Sequence, residues 1–136
     1  MKLRTEGLNL ELQCVRDADD EGWCRVLVLV EVPGFAGKYE AWLQTDDLQR
    51  FSNELAQLHK NVGVPGQARL CSAEPDIDIQ LSMDKLGHIQ GDYVFESERR
   101  EGIPTALAGR FDMDQSYLPE LCGSIRDLLD ELLTGR

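Results

Sequence analysis

The stretch YEAWLQTDDLQRFSNELAQL, residues 39–58, decides the fold. Its first part alternates: Tyr39, Ala41 and Leu43 share one side and Trp42 points to the other, the period-two pattern of a half-buried strand. Its second part carries Leu48, Phe51, Leu55 and Leu58 at helical spacing, with Gln49, Arg50, Asn53, Glu54 and Gln57 on the wet side. Asp46 and Asp47 stand at the joint. A catalytic carboxylate pair needs one pKa raised inside a pocket, whereas the positive end of a helix favours the ionised form. The expectation is therefore structural. Thr45 caps the helix and both acids occupy its first turn, worth about 0.5–2 kcal/mol for the cap and about 0.3–1 kcal/mol per acid.

Working outward toward the start, LNLELQCV (8–15) alternates with Leu8, Leu10, Leu12 and Cys14 on one side. RDADDEG (16–22) is a polar loop. WCRVLVLVEV (23–32) puts Cys24, Val26, Val28, Val30 and Val32 on one face and Leu27 and Leu29 on the other, the pattern of a central strand covered on both sides. Beyond the helix, NVGVPG (61–66) stops it. Four short alternating segments follow: QARLCSA, DIDIQLSM, HIQGDYVFES and TALAGRFDM. DKLG (84–87) is a hairpin turn that needs Gly87 at positive φ, and SERREGIP (97–104) is a longer charged connection. Residues 116–133 form a second helix with a wide Leu/Ile stripe, Pro119 in its first turn and Ser116 as its cap. RFDMDQSYLPELCGSIRDLL thus echoes AWLQTDDLQRFSNELAQL as strand, acidic joint and helix. Duplication and convergence on a common helix grammar explain that echo equally well.

The expected fold is α+β: one domain spanning residues 1–136, an antiparallel curved sheet of about seven strands with two helices packed on it. Charge narrows the partners. With 14 Lys and Arg against 25 Asp and Glu, the net charge is −11, which disfavours nucleic acid and suits a basic protein. The longest apolar run, VLVLV (26–30), is too short to span a bilayer, and no leader pattern opens the chain. Four cysteines without C-x-x-C spacing fit reduced thiols in a cytoplasm.

Chemistry finds little purchase. DADDEG reproduces the first half of a calcium loop, but Val28 stands where a bidentate Glu is required. The two histidines, His59 and His88, lack a ligand at helical spacing, and no nucleophile elbow or phosphate loop is present. No catalytic residue, metal ligand or cofactor is assigned, and the chain is read as a non-enzyme. What remains is a surface. If both helices pack on one side of the sheet, the other side presents Asp78, Gln80, His88, Gln90, Asp92 and Arg110, either as plain solvated face or as a docking surface. Trp42 joins them as a candidate contact, with cover by a neighbouring loop as the alternative. Gly91 and Gly109 take inward positions, as at a bulge or a close backbone approach.

Three segments together resemble the WapI-like immunity proteins of bacterial polymorphic toxin systems: YEAWLQTDDLQRFSNELAQL, IDIQLSMDKLGHIQGDYVF and RFDMDQSYLPELCGSIRDLL. The shared grammar is a strand, acidic joint and helix with a Phe; a hairpin with Gly-His-Ile after its turn; and a strand running into D-Q-[ST]-Y-L and a terminal helix. It covers roughly residues 35–133. The resemblance implies a small, acidic, cytoplasmic, non-enzymatic protein that binds and neutralises a cognate toxin. It transfers no catalytic residue and no interface. A small-ligand module and an accessory subunit of a larger assembly are the rival readings.

Overall fold

A computed structural model describes residues 1–73, 76–97 and 103–134. Residues 98–102 of the charged connection lie outside the described residues. The order is β1 (Lys2–Arg4), β2 (Asn9–Arg16), β3 (Trp23–Val32), β4 (Phe35–Gln44), α1 (Thr45–Lys60), β5 (Gly66–Cys71), β6 (Ile77–Met83), β7 (His88–Glu96), β8 (Ala106–Asp114), a 3-10 turn (Gln115–Tyr117) and α2 (Leu118–Thr134). The class is α+β with antiparallel pairing throughout, as the patterning indicates.

The architecture differs from the expectation in its division. Instead of one curved sheet of about seven strands, the described strands form two four-stranded meanders, β1-β2-β3-β4 and β5-β6-β7-β8. Each meander runs directly into a helix, so the chain is built as two successive units of the same plan. The helices then cross over: α1 packs on β5 of the second sheet as well as on α2, while α2 lies against β1 and β2 of the first. Alternation tells which residues share a side, not which strands are neighbours, and α1 breaks the ladder where one continuous sheet was expected.

A single core joins both units. The first sheet contributes Leu10, Leu12 and the buried row Cys24, Val26, Val28 and Val30; the second contributes Ile77, Ile79, Leu81 and Phe95. Leu48, Phe51, Leu55 and Leu58 of α1 and Leu121, Ile125 and Leu128 of α2 complete it. Each such side chain contributes about 1.5–3 kcal/mol by leaving water. The Tyr39 hydroxyl donates to the Asp76 carbonyl and so ties β4 to the start of β6; burial pushes the Tyr39 phenol upward. Leu27 and Leu29 are only half-buried, so the centre of β3 is covered on one side rather than both.

Two caps also differ. Thr45 is the first helical residue, not the cap: Gln44 holds that place without a side-chain bond, and the Thr45 amide donates instead to the Gly22 carbonyl at 2.9 Å. At the second joint Asp114, not Ser116, is the cap, its carboxylate accepting from the Ser116 amide at 2.7 Å and from the Ser116 hydroxyl. The 3-10 turn inserted before Leu118 moves the cap two residues back. The hairpin turn stands as expected, with Gly87 at φ 83°. Asp84 Oδ1 closes it by accepting from the amides of Leu86 and His88.

The inward glycines of β7 and β8 are sites of close approach. Gly91 faces Phe111 and Tyr93 faces Gly109 across the ladder. A Cβ on Gly91 would stand 2.1 Å from Phe111 Cε1, and one on Gly109 2.5 Å from the Tyr93 hydroxyl. Each ring thus lies over the glycine opposite, and the two rings sit 6.2 Å apart.

Candidate functional site

Asp46 and Asp47 both stand in the first turn of α1, at the β4–α1 joint. Asp46 is exposed in the first turn of α1. Asp47 is mostly covered: one oxygen lies 3.8 Å from the Arg50 guanidinium, while Oδ2 is buried with no hydrogen-bond partner. That unpaired oxygen is a cost that first-turn geometry alone does not anticipate. The nearby Cys24 thiol is pushed up to about 11, first by burial and then by the charges of Cys14, Asp19 and Asp47. It donates to the Leu43 carbonyl at 3.3 Å. A protonated thiol beside a carboxylate is the reverse of an activated nucleophile. Cys14 is likewise pushed up to about 11 by burial and its bond to Asp17. In the DADDEG loop Asp19 spends its carboxylate on the amides of Glu21 and Trp23, making a turn. Among the described residues no group of three His, Cys, Asp or Glu is placed to hold a metal ion.

The outer face of the second sheet brings six of the seven candidate surface residues together. The register aligns Arg69, Gln80, Asp92 and Arg110 in one row across β5 to β8, and Gln67, Ser82, Gln90 and Asp112 in the next. Asp78, Gln80, Asp92 and Arg110 border one shallow depression. His88 and Gln90 border a larger open one of about 820 Å³, together with Glu6, Asp84, Asp112 and Asp114. Two carboxylates are internally neutralised. Arg110 Nε meets Asp92 Oδ1 at 2.9 Å, and Arg69 grips Asp78 through Nε at 3.0 Å and a terminal nitrogen at 2.8 Å. The second pair holds the Arg69 guanidinium upward of its usual range, but both pairs are wet and contribute little to stability. The Ser116 hydroxyl and amide hold the Asp114 carboxyl low. Negative charge therefore concentrates at the Glu6–Asp112–Asp114 end.

Trp42 does not belong to this face. It stands on β4 in the first sheet, half-buried, directly opposite Arg25. The guanidinium carbons of Arg25 and Arg16 lie 4.9 and 5.7 Å from its ring centroid. Its cover is thus two arginines in cation–π contact, not a loop. Sequence reasoning missed Glu6 and Asp114 as lining residues. Asp114 continues the alternation of Asp112 and was legible, whereas Glu6 arrives from a turn of the other sheet without any local sign.

A model of the Immunity protein WapI-like family matches residues 2–133. No curated protein matches the chain. No helix among the described residues is long and apolar enough to cross a membrane.

Proposed function

The chain belongs to the WapI-like immunity protein family, and from that premise we propose that it binds and neutralises a cognate bacterial toxin of basic character, through the outer face of β6–β8. The observation that carries the reading is the acidic depression beside His88 and Gln90, where Glu6, Asp112 and Asp114 converge on the rim of a rigid sheet. A cationic protein surface is drawn to such a rim at long range, and strands hold the contacting side chains in fixed positions. The depression is open rather than enclosed, with Met83, Ile89, Met113 and Tyr117 lining it beside the acids, which suits a protein surface better than a small ligand. Neutralisation then proceeds by occlusion: the bound protein covers the toxin's active site or the path of its substrate, and no bond is made or broken. The reading places the protein in a bacterial cytoplasm, in keeping with four free cysteines.

The test uses the cognate toxin domain, sought among the open reading frames that neighbour this one. Gln90 and Asp112 face each other in the ladder, both exposed, so Gln90→Lys with Asp112→Lys reverses the rim without breaking an ion pair. The double variant should bind the toxin at least about tenfold more weakly and lose protection in cells, with a smaller dependence on salt. Unchanged affinity in the folded double variant would move the interface elsewhere.

A further inference from the structure

We propose that the outer face of the first sheet is a second, separate docking surface, which takes an acidic protein segment carrying an apolar anchor. The two sheets are built alike, yet their outer faces carry opposite chemistry. Counting back from the strand ends, Trp42 on β4 and Asp112 on β8 hold the same place; Arg25 stands opposite the first and Gln90 opposite the second. The contrast therefore comes from the residues and not from the fold.

Charge gives the first argument. Lys2, Arg4, Arg16, Arg25 and Lys38 lie on this face, outward of the buried rows of their strands or stacked on Trp42. Against them stand Glu11, Glu31 and Glu40. In a chain whose acids outnumber its bases 25 to 14, this face reverses the balance, with more cations than carboxylates among its described residues. One pair is internal, Arg25 Nε to Glu40 Oε1 at 2.9 Å.

The centre gives the second. Leu27 and Leu29 face outward between these charges, with Trp42 diagonal to Leu27 across the ladder, and all three are half-buried. By the same count, the places of Leu27 and Leu29 are held in the second sheet by Asp92, paired with Arg110, and by the exposed Val94. An apolar middle with Trp and Arg, ringed by charge, is the composition of an interface core and not of a solvated strand face. Stacking between Arg16 and Arg25 also restrains the Trp42 ring before any partner arrives, which lowers the ordering cost of binding.

The probe is a synthetic twelve-residue peptide of alternating Glu and Leu, titrated into uniformly ¹⁵N-labelled full chain. The expected result is saturable shifts confined to the Trp42 indole and the amides of β1, β3 and β4. Trp42→Ala should weaken binding about thirtyfold. Since Trp42→Ala could disturb the sheet, Arg4→Glu with Lys38→Glu supplies a second test on exposed positions, and should weaken binding about tenfold with an unchanged fold. No shifts at millimolar peptide, shifts centred on β6–β8, equal binding by the charge-reversed variant, or concentration-dependent shifts of the same face without peptide (a second copy as the occupant) would each overturn the proposal.

Discussion

Replacing Gly91 by Ala adds one methyl group under the Phe111 ring, and the structure fixes how badly it fits. The new Cβ would lie 2.1 Å from Cε1, 2.3 Å from Cζ and 2.7 Å from Cδ1, where carbon pairs need about 3.5–4.0 Å. Phe111 is 4% exposed, so its ring has no solvent to swing into. Overpacking of this kind costs about 1–3 kcal/mol, and an off-rotamer ring adds about 0.5–1.5 kcal/mol. Restricting the unfolded chain returns about 0.4–1 kcal/mol. The net expectation is a loss of about 0.5–4 kcal/mol, read as a fall in melting temperature of roughly 2–16 °C by calorimetry. Gly109→Ala should cost less, because its Cβ meets the hydroxyl end of Tyr93 at 2.5 Å, the far end of a longer side chain. Phe111→Leu should relieve part of the Gly91→Ala penalty in a double-mutant cycle. A neutral Gly91→Ala, or one no worse than Gly109→Ala, would refute the account of these rings.

Three further outcomes are expected. Asp46→Ala should lower stability by about 0.3–1 kcal/mol in urea titration and leave toxin neutralisation intact; lost neutralisation in a folded variant would mean that the joint does more than start a helix. Phe51→Ala, at a position with no exposure, should cost about 3–5 kcal/mol and broaden or abolish the unfolding transition; a loss under 1 kcal/mol would contradict the placement of α1 over the core. Alkylation of Cys24 by iodoacetamide at pH 8 should be far slower in the folded protein than in the denatured chain, because the thiol has no exposure and burial pushes it up to about 11. The sign for stability follows from the same shift: a thiol raised from 9.0 to about 11 favours the fold below pH 9 and forfeits that contribution as pH climbs through 11. Native-state alkylation at the rate of the denatured chain would contradict the burial.

How legible was this molecule in its residues? Seven of the eight described strands and both helices followed from period alone, because each buries one face: Val26, Val28 and Val30 inward, Leu48, Phe51 and Leu55 inward. The first strand, β1 (Lys2–Arg4), is three residues long, too short to show a period, and was missed. The joint between them was only half legible. Asp46 and Asp47 fall in the first turn as expected, but the Thr45 amide is satisfied by the Gly22 carbonyl from a distant turn, a partner that local chemistry does not announce. The split into two sheets was likewise hidden, since a strand's alternation is the same whichever neighbour it pairs with. For the candidate surface, alternation placed Asp78, Gln80, His88, Gln90, Asp92 and Arg110 on one face. It could not show that Trp42 lies on the other sheet between Arg16 and Arg25, because that depends on a bulge between Cys14 and Arg16 and on the β3–β4 register.

The central proposal is that this protein acts by adhesion, through a charged sheet face. Calorimetric titration of the purified chain with its cognate toxin domain, repeated from low to high salt, tests that most directly. The account predicts a one-to-one complex that weakens as salt rises and that the Gln90→Lys, Asp112→Lys pair disrupts. No heat of association at any salt, or toxin that is inactivated by substoichiometric amounts with turnover, would contradict it.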